Sequence, residues 1–182
     1  MGEPTGFSRW LTAEGANRDL LAWVDSTGLD WPAVYDACPR ADFLLAIAAR
    51  AGVDRRVMLG VAVAIASRVA DDVADEGVLG GLAELRRRVE GGLPLAELAA
   101  REDAAADASG DMLLSLGHRV VALAATTEVD PSAVVSIPGV LVELAIAGVL
   151  DCAIGSVVGS TQHELAGTVR KLLPASEIPA RW

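Results

Sequence analysis

The segment GVDRRVMLGVAVAIASRVADDV, residues 52–73, decides the fold class. Asp54 stands just ahead of an unbroken run of small and aliphatic residues from Val57 to Ala66. From that position a carboxylate accepts from the first free N–H groups of a helix. The run is apolar on nearly every side, and a helix of that kind belongs at the centre of a bundle. It is too short to cross a bilayer. The spacing predicts a single central helix from Arg55 to about Asp75, turning charged in its later turns at Arg68, Asp71, Asp72 and Asp75.

The flanking sequence has the same character. Asn17–Val24 and Ala41–Ala51 read as helices, the second stopped by Gly52. Asp30 and Pro32 open a short one that ends before Pro39. Val78, Leu82, Leu85 and Val89 recur at i, i+4, i+7 and i+11, an amphipathic stripe with Arg86, Arg87 and Arg88 mostly on its solvent side. Leu95 to Ala106 and Asp111 to Thr126 follow, split near Ser109. Asp130 and Pro131 start an apolar stretch that is kinked or restarted at Pro138, and Ser160–Leu173 closes the series. No stretch alternates with period two for more than a few residues. The expectation is one all-α domain over residues 1–182, a bundle of about 7–9 helices, with residues 1–15 loosely ordered.

Composition agrees. Apolar residues make up 52% of the 182 and aromatics only 4%, a bias towards the small aliphatics that favour helices packed closely together. A chain this long buries roughly 70% of its unfolded surface and needs no disulfide or metal to hold it. Cys38 and Cys152 are far apart and read as two buried free thiols of a reducing compartment. The start has neither a basic nor an apolar leader region, so a cytoplasmic location is expected. The stretch from Ala133 to Val158 is long enough to span a membrane but carries Pro138, Glu143 and Asp151, which favours a buried core helix. The net charge of −10 repels phosphate backbones, which argues against nucleic-acid binding, and draws in basic proteins.

Candidate chemistry is sparse. Asp71, Asp72 and Asp75 have the spacing of a magnesium–diphosphate motif if all three lie on one helix, where Asp71 or Asp72 would share a face with Asp75. That chemistry needs a second acidic site opposite, and the sequence has none. The alternative is a solvated acidic helix end, with Arg68 paired to Asp71 or Asp72. His118 and His163 lack a ligand neighbour at i+3 or i+4, so no metal site is read there. Cys38 precedes Pro39 and Arg40, a setting that lowers a thiol pKa if exposed, but no positioned base is legible. Arg86–Arg88 read as a solvated face balanced by Glu84 and Glu90. Trp10, Trp23, Trp31 and Trp182 lie outside the aliphatic centre, either clamping the termini onto the bundle or serving as interface anchors.

Three segments together resemble a bacterial family of Ala-rich helical proteins labelled immunity proteins. They are WPAVYDACPRADFLL at 31–45, with Phe43 where the family tends to carry tryptophan, then residues 52–73, then VRKLLP at 169–174. The resemblance implies an all-helical protein that neutralises or escorts another protein, and it carries no catalytic residue or cofactor.

The expectation is therefore a non-enzymatic binding protein with no cofactor, an immunity protein whose partner is a basic toxin. Asp71, Asp72, Asp75 and Glu76 form the expected contact surface. A self-associating scaffold built on the apolar stretch 134–158, and hence a homo-oligomer, is the alternative. A magnesium-dependent enzyme at the aspartate cluster is the minor one.

Overall fold

In the computed structural model, which describes residues 5–147 and 154–182, local side-chain capping sets the starts of several helices. Asn17 accepts from Leu20 N–H at the head of α2 (Arg18–Thr27), and Asp54 accepts from Arg56 N–H at the head of α5 (Arg55–Ala66). Asp111 does the same for α9 (Met112–Thr126), accepting from Leu113 and Leu114. Gly52 ends α4 (Ala41–Ala51) with a φ of 75°, a left-handed conformation that any side chain would strain. The remaining helices are α1 (Gly6–Ala13), α3 (Ala33–Ala37), α6 (Val69–Asp72), α7 (Glu76–Gly91), α8 (Ala96–Ala108), α10 (Ile137–Ile146) and α11 (Ile154–Leu172). A 3-10 turn, Pro131–Ser136, leads into α10, so the chain restarts at Pro138 as its proline requires. There is no strand among the described residues, and the class is all-α.

Two expectations of the local reading change. Within the N-terminal segment expected to be loosely ordered, residues 6–13 form a helix, while residues 1–4 lie outside the described residues. Thr5 caps α1, and Phe7, Trp10 and Leu11 at i, i+3 and i+4 point one face inward. Phe7 is fully buried among Trp10, Trp31 and Trp182, with ring centroids 5.7, 5.4 and 4.9 Å away. Trp31 and Trp182 lie 4.6 Å apart. These tryptophans therefore clamp both ends of the chain onto the bundle, while Trp23 packs separately against Phe43.

The helix expected over 55–75 is also interrupted. α5 ends at Ala66, where Ser67 Oγ donates to Val63 C=O, and Val73 is extended. Carboxylates disfavour a helix C-terminus, where the backbone dipole is negative. Asp71 and Asp72 sit at such an end, and Asp75 is used instead to start the next helix. Residues 55–66 bury one face only, and Val57 is 36% exposed. The helix buried almost all round is α4, with Ala41 and all of Phe43–Ala48 inside.

α4 lies against α11, α10 and the 3-10 turn, while α9 packs against α5, α7, α8 and α10. Tyr35 Oη donates to Leu173 C=O at 2.8 Å, and Gln162 Oε1 accepts from Ala41 N–H at 3.0 Å, so the last helix is tied to the first third of the chain. Val134, Ile137, Leu141 and Leu144 are spent in the core. No helix among the described residues is long and apolar enough to cross a membrane. Asp151 and Cys152 lie outside the described residues.

Candidate functional site

The four acidic residues expected to act together are divided between two helices. Asp71 and Asp72 end α6, Asp75 caps α7 and Glu76 is its first residue. Asp75 Oδ1 accepts from Gly77 N–H at 2.8 Å and Val78 N–H at 3.1 Å, so this carboxylate is engaged by the fold. The face shared by Asp71 or Asp72 with Asp75, on which the magnesium reading depended, does not form. Among the described residues no group of three or more His, Cys, Asp or Glu side chains is placed to hold a metal ion. Asp71 pairs with Arg68 at 3.4 Å, as a solvated helix end would, and Arg68 reaches on to Glu164 at 3.1 Å.

What tertiary packing does bring together is Asp72, Asp75 and Asp111. They line a shallow depression of about 290 Å³ with Leu113 and Leu114, at the junction of α6, α7 and the start of α9. Partial burial, and then the charge of Asp71, push the Asp72 carboxyl above its ordinary pKa. Beside the depression Met112 is 60% exposed and Leu113 38%. Acidic and apolar groups thus share one concave surface. Asp111 was legible in the sequence as a helix start but not as a member of this surface, because it enters from 36 residues beyond Asp75.

A second polar cluster is built around one buried carboxylate. Glu102 is 2% exposed, and its Oε2 lies 2.7 Å from His118 Nδ1. Its Oε1 accepts from Arg101 Nη2 at 2.7 Å, and Arg101 Nη1 donates to Glu84 at 2.9 Å. Arg88 Nε completes the chain to Glu84 at 2.8 Å. Hydrogen bonds from Arg101 and then Arg88 hold the Glu84 carboxyl below its ordinary pKa. A Cβ on Gly81 would stand 2.8 Å from the Glu102 carboxylate, so glycine at that point of α7 makes room for the charge. The cluster links α7, α8 and α9. His118 is partly exposed, as an ordinary histidine would be, and in addition has the Glu102 carboxylate against its Nδ1. One signal was available: Leu98, Glu102 and Ala106 share the inward face of α8 at i, i+4 and i+8.

Cys38 does not have the activated thiol that Arg40 suggested. It is fully buried, its Sγ lies 3.4 Å from Arg40 C=O, and burial pushes its pKa up to about 11. A thiol with its pKa raised this far keeps its proton through neutral pH and is a poor nucleophile. At pH 8 a disulfide-exchange reagent should label Cys38 only at the rate of unfolding, and labelling as fast as that of a small-molecule thiol would contradict the burial. His163 is exposed on α11, with no side-chain hydrogen bond among the described residues. Arg86 and Arg87 are exposed, as a solvated face requires, whereas Arg88 is largely covered; Arg87 and Arg88 pair with Glu84, and no pair to Glu90 forms among the described residues.

Comparison with family models, curated proteins and solved structures finds no match to this chain.

Proposed function

We propose that this chain is a non-enzymatic binding protein, specifically an immunity protein that occludes a basic toxin by charge and shape complementarity. The observation that carries this reading is the depression lined by Asp72, Asp75 and Asp111 with Met112 and Leu113 exposed beside it. Interface hot spots combine a desolvated apolar anchor with a charged surround, and a net charge of −10 speeds the approach of a basic partner. Asp71 and Glu76, next in sequence to Asp72 and Asp75, add to the negative charge near the depression.

The test is capture of partners from host lysate at low and at moderate salt, followed by association kinetics with whatever basic protein is retained. Asp71→Lys, Asp72→Lys and Glu76→Lys are combined, leaving the helix caps Asp75 and Asp111 in place. The triple variant should slow association by at least about tenfold and flatten its dependence on salt. Met112→Ala should speed dissociation instead. Unchanged kinetics in the triple variant would remove this surface from the proposal.

A further inference from the structure

At the other end of α7, about 20 Å from the acidic depression along the helix, lies a pocket of opposite character. It measures about 520 Å³ and opens between the start of α5, the end of α7 and the loop to α8. That volume is in the range of pockets that hold small organic molecules. Its apolar wall is formed by Leu59, Val89 and the buried Leu95, and Leu93 stands at the rim, 44% exposed.

Three guanidinium groups line the same pocket. Arg88 is held rigidly, donating to Glu84 and to Pro94 C=O, each at 2.8 Å. Arg55 and Arg56 are exposed and have no carboxylate within ion-pair distance among the described residues, although the chain carries 25 acidic residues against 15 basic ones. Both arginines occupy the first turn of α5, where cations oppose the helix dipole, so the helix itself gains nothing from them. Two carboxylates share the lining. Glu128 is engaged, its Oε2 accepting from Leu95 N–H at 2.8 Å, and Glu90 is exposed to solvent. The cations outnumber the carboxylates, and the two unpaired arginines sit beside an apolar wall.

We propose that this pocket binds a small amphiphilic organic oxyanion, with its anionic group held by Arg55 and Arg56 and its apolar body against Leu59, Val89 and Leu93. Guanidinium groups suit the planar, bidentate recognition of carboxylate and phosphate oxygens. The net charge of −10 opposes diffuse binding of such a ligand to the surface as a whole.

The test is calorimetric titration of the full chain with 1-naphthyl phosphate at low salt, beside 1-naphthol, inorganic phosphate and anionic phosphatidylglycerol vesicles. One equivalent of 1-naphthyl phosphate should bind, and 1-naphthol and inorganic phosphate should each bind at least roughly tenfold more weakly, since each lacks half of the recognition. The double variant Arg55→Gln, Arg56→Gln should lose at least roughly tenfold in affinity while unfolding at the same or a higher temperature, because exposed cations leave a helix N-terminus. Leu93→Ser should weaken naphthyl phosphate and leave inorganic phosphate unchanged. Binding absent at millimolar ligand, equal affinity in the double variant, or affinity for vesicles alone would each overturn the proposal.

Discussion

Phe7→Ala is expected to lower the unfolding free energy by about 3–5 kcal/mol, the cost of truncating a fully buried aromatic whose neighbours close only partly around the void. The expected loss is at the upper end because the ring sits at the meeting point of three elements. Trp10 comes from its own helix, Trp31 from the approach to α3, and Trp182 from the far end of the chain. In a chain of this size each kcal/mol moves the midpoint of thermal unfolding by about 2–4 °C. The native tryptophan emission should shift to the red at the same time, since three of the four indoles surround the position. A stability change below about 1 kcal/mol, with native emission retained, would mean that α1 is not docked in solution.

The second large effect is expected at Glu102. Glu102→Ala should cost about 2–4 kcal/mol, because it removes a buried acceptor from His118 Nδ1 and Arg101 and leaves space against Gly81. Glu102→Gln keeps an acceptor for the imidazole and should cost less than half as much. Gly81→Ala should also destabilise on its own, since its Cβ would stand 2.8 Å from the carboxylate. Combined with Glu102→Ala, the same methyl falls into the vacated space. The double variant should therefore be more stable than the sum of the two single losses, a coupling that denaturant titration of all four proteins measures directly. Additive losses would mean that Gly81 and Glu102 do not share this contact.

Both effects involve groups whose role depends on distant chain. The caps Asp54 and Asp130 were legible, and Asn17 and Asp111 marked helix starts without being read as caps, because a cap acts on N–H groups two or three residues away. The stripe Val78, Leu82 and Leu85 was legible because 3.6-residue periodicity is a property of one helix. The same local rules also applied to α1, where Thr5 precedes the i, i+3, i+4 pattern of Phe7, Trp10 and Leu11; polar neighbours and proximity to the chain start obscured them. Asp75 had two local roles open to it, continuing one helix or starting the next. Two carboxylates at the end of α6 and free N–H groups at Gly77 and Val78 favour the second.

By itself, then, the sequence determined the all-α class and most helix starts, since these depend on interactions within one or two turns. Tertiary structure alone decided that α4 rather than α5 is enclosed, that Glu102 meets His118 and that Asp111 joins Asp72 and Asp75. It also placed Arg88 beside Arg55 and Arg56. The physical reason is that burial and electrostatic neighbourhood are set by which faces oppose one another. Helices of similar apolar character, such as α4, α5 and α9, compete for the same interior on nearly equal terms.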